Sequence, residues 1–217
     1  LDAEYEALYG LSPVSMAALL MRRYMSEYGV KREDFAPFAL TAHANGANNP
    51  NAMFQRALNP AAYARAGAVV DPITMFDAAP LCDGAAALVL CPSDYAATLS
   101  AKPVRIRASA VATDRLAVGD RSDPLFFEGA SLSAQRAYGQ AGVGPGDIGL
   151  FELHDAFTIL GALSLEACGF AARGEGVRVA QEGEHSDSVN EIFRVAHTIK
   201  GSASLFSFER LVSFTHL

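Results

Sequence analysis

The chain has 217 residues, of which 51% are hydrophobic and 19% are charged, so it can bury a sizeable core in one large domain or two small ones. Its formal net charge of −7 and its lack of any basic run argue against a nucleic-acid binder, because phosphate backbones are held mainly by clustered Lys and Arg. The longest apolar run, 85–91, is far shorter than a membrane span and the first residues resemble no signal peptide, so we expect a cytoplasmic protein without membrane contact.

The three cysteines are widely separated. Cys82, Cys91 and Cys168 form no C-x-x-C pair, and this spacing indicates neither a disulfide framework nor a zinc site. We therefore expect no metal in this chain and a reducing environment around it. Each of the three is predicted to be a small residue of the core rather than a nucleophile.

The first predicted element is a helix that follows Ser12. Ser12 suits the N-cap, Pro13 suits the first helical position, and Gly29 is placed to end the helix. The next segment, 42–60, is dense in Asn, Pro and Gly, which predicts a long surface loop with short helical pieces.

Two strands are predicted in the middle of the chain. The continuous apolar run 85–91 predicts a strand buried on both faces, and the alternating segment 104–113 predicts a second strand. A domain boundary is expected between them, near 98–103. The chain accordingly divides into 1–98, 99–182 and a tail, 183–217.

A helix, a strand and another helix are predicted next. The first helix is capped by Ser131 or Ser133 and ends at Gly142, the apolar segment 148–153 follows as a strand, and a helix over about 157–168 succeeds it. Strands that alternate with helices in this order predict an α/β fold with helices covering a sheet.

His154 and Asp155 stand at the predicted junction of strand and helix. In an open α/β sheet this position faces the usual ligand crevice. Polar side chains there can orient a water molecule or donate to an oxygen that gains negative charge. The alternative is that Asp155 merely caps the helix and that His154 is a solvated loop residue.

Several segments share one family resemblance, namely "YGLSPVSMAALLMRRYMSEYG", "NGANNPNAMF", "DGAAALVL" and "FELHDAFTI". Together they resemble, in order and over roughly 5–180, the sterol carrier protein X-type branch of the thiolases. The resemblance implies a five-layer α-β-α-β-α fold of two similar halves, with 1–98 ending the first half and 99–182 beginning the second. It also implies homo-oligomers that act on acyl-coenzyme A thioesters by Claisen condensation or thiolysis, with no bound cofactor.

The same resemblance assigns roles to individual residues. It implies that His154, with Asp155 beside it, is the oxyanion-site residue that helps to bind the thioester oxygen through an ordered water. It places His43 and Asn45 near the coenzyme A cleft, although a polar loop residue is more often simply solvated.

The family's covalent chemistry has no counterpart in this chain. The segment with the nucleophilic Cys is expected upstream of Leu1, and the Gly-His-Pro and Cys-x-Gly segments expected after 169–176 are missing. We therefore predict a thiolase fragment that is inactive alone. A non-catalytic acyl-coenzyme A binder is a further alternative.

The tail contains a histidine opposite a predicted apolar stripe. On a helical wheel the stripe is formed by Ile192, Ala196, Ile199, Ala203 and Phe206. His197 points away from it, beside Lys200 and Gly201. An accessible imidazole, a cation and a small neighbour suit a phosphoryl acceptor, although a solvated histidine on an amphipathic helix fits the spacing as well.

The tail also resembles a second family. "NEIFRVAHTIKGSASLFSFERLVSFTHL" resembles the histidine phosphotransfer domain of chemotaxis kinases, with the core H-x-x-K-G-[SAG]. The resemblance implies that His197 is phosphorylated, that Lys200 neighbours the phosphate and that Gly201 lies on the docking face. It makes 183–217 a partial set of phosphotransfer helices whose partners are a histidine kinase or a response regulator. A join of unrelated coding sequences is therefore predicted between 179 and 188.

Overall fold

A computed structural model describes residues 2–100 and 103–183. This part of the chain is helix-rich, with one two-stranded sheet, so the α/β class predicted from sequence is confirmed in its coarse form. The elements are α1 (Pro13–Tyr28), α2 (Ala36–Ala47), α3 (Pro60–Ala64), β1 (Ala68–Val70), β2 (Ile73–Thr74), α4 (Ser93–Leu99), α5 (Glu128–Ala141), α6 (Thr158–Ala167) and α7 (Gly176–Gly183). Single 3-10 turns precede α2 and lie in the connections before α1, α5 and α6.

Helix α1 forms where the sequence predicts it. The Ser12 hydroxyl accepts from the Ser15 amide at 3.2 Å, and the Ser15 hydroxyl accepts from the Ser12 amide at 2.7 Å, so two donors of the first turn are satisfied. At the other end Gly29 adopts a left-handed conformation with a φ of 67°. The buried face of α1 includes Met21 and Tyr24.

The loop predicted from residue 42 is wrong in its first part. Helix α2 continues to Ala47, so that His43 and Asn45 lie on a helix instead of a loop. Tertiary packing explains the difference: Phe38 and Asn45 are buried, and the Phe38 ring lies where a side chain at Gly161 of α6 would be. Such packing outweighs the weak helix propensity of Asn and Gly.

The strands predicted at 85–91, 104–113 and 148–153 are also wrong, because none forms a regular hydrogen-bonded strand. The prediction that 85–91 is buried on both faces fails as well, since Val89 is 89% exposed. A strand needs backbone partners along its length. In the described structure, side chains of α5 bond the second segment instead: Gln140 accepts from the Ser109 amide at 3.1 Å, and Arg136 donates to the Val111 carbonyl at 3.1 Å.

Helices α5 and α6 confirm two predictions. Helix α5 ends at Gly142, which has a φ of 66°, but it begins at Glu128, ahead of the predicted caps Ser131 and Ser133. Ser131 is buried inside the helix, whose first turn lies close to the preceding chain: a Cβ at Gly129 would meet Thr113 and Asp114. Helix α6 matches the prediction within a residue at each end.

The core is organised around α6, of which every residue except Leu160 is buried. Helices α1 and α7 pack against it. Glu166 of α6 ties them together, because it accepts from the Tyr24 hydroxyl at 2.6 Å and from the Gly176 amide at 3.0 Å. Burial, followed by the neighbouring Glu166 carboxylate, raises the pKa of Tyr24 far above its ordinary value, so this hydroxyl remains a donor.

The prediction for the cysteines is correct for one residue and wrong for two. Cys168 is buried at the end of α6, and burial raises the pKa of its thiol to about 11. Cys82 and Cys91 are exposed because the segment that carries them does not enter a sheet. All three are free thiols. Within residues 2–100 and 103–183, no helix is both long and apolar enough to cross a bilayer.

Candidate functional site

His154 is exposed and immediately precedes the residues that lead into α6. The backbone after it is fixed by two hydrogen bonds: the Ala79 amide donates to the Ala156 carbonyl at 2.9 Å, and the Thr158 amide donates to the Asp77 carbonyl at 2.9 Å. Ala78 and Phe157 form an isolated antiparallel bridge between them. His154 therefore presents an accessible imidazole from a backbone that is anchored directly behind it.

Asp155, which is half-buried, is not the cap of α6. The N-cap position is Phe157, whose own side chain makes no capping hydrogen bond. The capping alternative is therefore wrong, because the chain turns into the helix two residues after Asp155. Asp155 also takes part in other polar contacts within the structure.

Asp77 holds the segment between His154 and α6 in place, and only 2% of the Asp77 surface is exposed. Its Oδ1 accepts from the Tyr63 hydroxyl at 2.5 Å and from the Thr158 hydroxyl at 2.8 Å. Its Oδ2 accepts from the amide and the hydroxyl of Thr74, at 2.9 Å and 2.7 Å. Four donors thus compensate the cost of burying the carboxylate.

Tyr63 acts as a fixed donor in this group. Burial, and then the neighbouring Asp77 carboxylate, raise the pKa of Tyr63 well above its ordinary value. Arg32 approaches the same ring from outside, with its guanidinium carbon 5.5 Å from the ring centroid. The donor to Asp77 is therefore retained across the neutral pH range.

His43 lies on α2, half-buried against two aromatic rings. Its ring centroid is 6.0 Å from that of Phe54 and 5.8 Å from that of Phe76. Nδ1 lies 3.2 Å from the Arg56 carbonyl oxygen, which can only accept, so Nδ1 carries the proton and Nε2 is an acceptor when the ring is neutral. Asn45, two residues on, is buried and is not the solvated residue that a loop would give.

One short segment of chain, Phe76 to Ala79, contacts both the His43 ring and the backbone that follows His154. Phe76 contacts the His43 ring, and Asp77 to Ala79 pair with the residues that follow His154. Sequence reasoning missed Asp77 and Tyr63. The one available signal was an aspartate within the otherwise apolar stretch "PITMFDAAP".

The predicted phosphoacceptor group, His197, Lys200 and Gly201, lies outside the described residues, and its role stays a prediction. Where the structure does describe the chain, it contains no group of three or more His, Cys, Asp and Glu side chains placed to hold a metal ion.

Residues 110–189 match the family model described as thiolase C-terminal domain-like. An acetyl-CoA acetyltransferase of Methanothermobacter thermautotrophicus is 39% identical over 182 residues, which cover 84% of this chain and 48% of that protein. Sterol carrier protein 2 of Bos taurus is 29% identical over 195 residues, which cover 82% of this chain and 34% of that protein.

Among solved structures, the Ltp2-ChsH2(DUF35) aldolase superposes with a TM-score of 0.71 at 28% identity, covering 82% of this chain and 48% of that one. The chain spans half or less of the length of these relatives. The sequence of residues 110–189 is thus similar to thiolase C-terminal domains, and the chain as a whole is similar to proteins named acetyl-CoA acetyltransferase and sterol carrier protein 2.

Proposed function

We propose that this chain supplies the oxyanion-side part of a thiolase-type site that binds acyl-coenzyme A thioesters. His154 donates, directly or through one water, to the thioester oxygen, and the oxygen gains negative charge when the carbonyl is attacked. The observation that carries the proposal is the accessible imidazole of His154 on a backbone anchored by Asp77 and Ala79.

Further elements of the proposal concern the surroundings of His154. Asp155 lies at the same junction, and His43 leaves Nε2 available for a ligand because its Nδ1 bonds the Arg56 carbonyl. Asn45 is buried two residues after His43, and its role near the coenzyme A cleft stays a prediction. The chain contributes parts of both halves of a five-layer thiolase fold, with the change between halves near residue 98.

The chain alone binds the thioester and does not turn it over. Covalent thiolysis needs a thiolate that an adjacent base activates. The Cys168 thiol is buried in the core, and its pKa is raised to about 11, so it is neither accessible nor ionised near neutral pH. Cys82 and Cys91 lie on an exposed segment outside the core that α6 organises.

Calorimetric titration of the full chain tests this proposal with two ligands that differ only in the thioester. Acetyl-coenzyme A is expected to bind, and the substitution His154→Ala is expected to weaken it about five- to tenfold, the equivalent of one hydrogen bond. Free coenzyme A lacks the thioester carbonyl, so its affinity should not change with His154→Ala. Absence of acetyl-coenzyme A binding at millimolar ligand contradicts the proposal, as does an equal loss for both ligands.

The motif "HTIKGS" supports a second proposal, a phosphorelay function of the tail. An imidazole nitrogen of His197 attacks the γ-phosphorus of ATP bound to a histidine kinase, ADP leaves, and the phosphoryl group then passes to an aspartate of a response regulator. Lys200 offsets the phosphate charge, and Gly201 leaves room for the partner.

Incubation with a chemotaxis histidine kinase and labelled ATP tests the tail. Acid-labile label on the chain is expected, with complete loss in the substitution His197→Gln and no loss in the matched substitution His216→Gln. Label that persists in His197→Gln, or no label on the unaltered chain, contradicts this function.

A further inference from the structure

We propose that Asp77, through Thr158, is a positioning residue that fixes the backbone carrying His154 in register with the rest of the site. This inference rests on the proposed function of His154, and it adds the device that holds that imidazole in place. Asp77 lies 81 residues before Thr158 in the chain, so the link is a tertiary one.

The link consists of two hydrogen bonds between the same two residues. The Thr158 amide donates to the Asp77 carbonyl at 2.9 Å, and the Thr158 hydroxyl donates to Asp77 Oδ1 at 2.8 Å. Main chain and side chain are therefore held together, which prevents the first residue of α6 from sliding or rotating against the segment that follows β2. Only three residues separate Thr158 from His154.

The remaining donors keep the Asp77 carboxylate from moving. Thr74 binds Oδ2 through both its amide and its hydroxyl, and Tyr63 binds Oδ1 from α3. Both carboxylate oxygens therefore accept two hydrogen bonds each. The carboxylate is held rigidly, because any rotation would break at least two charge-assisted hydrogen bonds. Rigid support of this kind is what a binding group needs to keep its geometry.

The segment also reaches the second histidine. Phe76, next to Asp77, packs edge-on against the His43 ring, and Ala79 bonds the residue two positions after His154. A shift of Asp77 would therefore move the backbone of one histidine and the packing of the other. Asp77 accordingly couples the two groups that the proposed site needs.

The Glu166 group provides a matched control. It too is a buried carboxylate that accepts from a tyrosine hydroxyl and a backbone amide, but its partners are Tyr24 and Gly176 on α1 and α7. Loss of one donor there costs stability without touching the segment behind His154. A structural role and a positioning role can therefore be separated.

The experiment uses NMR of the full chain with labelled histidine, the His154 resonance being assigned by its absence in His154→Ala. Thr158→Val removes the hydroxyl and keeps the shape, Thr158→Ser restores the hydroxyl, and Tyr24→Phe is the control. In Thr158→Val we expect the His154 Cε1–H resonance to shift by more than its linewidth and the Ala79 amide to exchange about tenfold faster. Thr158→Ser should restore both, and Tyr24→Phe should change neither.

The possible results separate this inference from the proposed function. An unchanged His154 resonance in Thr158→Val overturns the positioning role, whatever the ligand does. The same shift in Tyr24→Phe overturns it as well, since the effect would then be general destabilisation. If the His154 resonance responds to Thr158→Val but not to added acetyl-coenzyme A, positioning stands and the proposed function fails.

Discussion

Asp77 is stable in the core only because its acceptor sites are filled. An unpaired buried carboxylate is strongly unfavourable, and removal of one partner leaves part of that cost uncompensated. Of its donors, Tyr63 makes the shortest bond, at 2.5 Å. This residue should therefore contribute more to stability than a tyrosine that bonds a neutral group.

Removal of the Tyr63 hydroxyl tests that comparison. We expect Tyr63→Phe to lower the free energy of unfolding by about 1.5–3 kcal/mol, as for a hydrogen bond to a charged group. Tyr138→Phe is the control, because its hydroxyl bonds the neutral Cys168 carbonyl at 3.0 Å, and it should cost about 1 kcal/mol. Denaturant titration measures both, and an equal or smaller loss in Tyr63→Phe would be inconsistent with the account.

The Cys168 thiol makes stability depend on alkaline pH. Its pKa is raised from 9.0 to about 11 in the folded chain, so the unfolded chain loses this proton first. The stabilising contribution is complete below about pH 9 and is lost as pH rises through about 11, at up to about 1.4 kcal/mol per pH unit.

Chemical denaturation between pH 8 and about 11 measures this slope. Cys168→Ala should reduce the slope of unfolding free energy against pH by the contribution of one thiol. Cys82→Ala should leave the slope unchanged, because that thiol is already exposed in the folded chain. Identical slopes in the two variants would refute the assignment of the slope to Cys168.

At the scale of the residue, the sequence indicated His154 but not its support. His154 follows an apolar run and precedes a helix, which is a local pattern. Asp77 and Tyr63 acquire their roles through partners 81 and 14 residues away. No local pattern records such a distance, so the network could be found only in three dimensions.

At the scale of the element, the contact of α7 with α6 depends on the absence of a side chain at Gly176. A Cβ there would collide with the Ala162 carbonyl oxygen and press on Glu166 Oε1 at 3.0 Å. Backbone cannot move aside as a flexible side chain can. The sequence offers no sign that this glycine, rather than any other, lies at a close approach.

Two glycine-to-alanine substitutions should therefore have opposite effects. Gly176→Ala is expected to destabilise the chain by about 1–3 kcal/mol through overpacking. Gly139 lies inside α5 with open space around it, so Gly139→Ala should stabilise by about 0.5–1 kcal/mol through helix propensity. Thermal unfolding of both variants provides the measurement. A Gly176→Ala variant as stable as the unaltered chain would argue against the close packing of α6 and α7.

Helix ends were predictable and strands were not, for one physical reason. Caps such as Ser12 with Ser15, and left-handed glycines such as Gly29 and Gly142, are satisfied within a few residues of the chain. The apolar segments 85–91 and 104–113 have strand-like patterns, but a strand also needs a neighbour. The pattern therefore predicted the tendency of these segments and not their structure.

At the scale of the whole molecule, the connection between β2 and α5 exposes much apolar surface. Leu81 is 96% exposed and Val111 is 73% exposed, and both belong to the same stretch as Val89. Large apolar side chains exposed in this way favour association with other chains. We name the described residues of this stretch, 81–100 and 103–116, the exposed connection.

The exposed connection should drive self-association of the chain. We expect the apparent mass in sedimentation velocity to rise with concentration, and the double substitution Val89→Lys with Val111→Lys to suppress the rise. Leu8→Lys is the control, because Leu8 is 78% exposed but lies outside the exposed connection. A concentration-independent monomer, or equal suppression by Leu8→Lys, would refute this role.

His154 is proposed to bind the oxygen of an acyl-coenzyme A thioester. Carbon NMR of acetyl-coenzyme A labelled at the acetyl carbonyl tests it directly, because a hydrogen bond to this oxygen moves the carbonyl resonance downfield. We predict a downfield shift on addition of the full chain and its loss in His154→Ala, with the shift retained in Tyr24→Phe. A bound ligand whose carbonyl resonance does not move, or moves equally in His154→Ala, would contradict the claim.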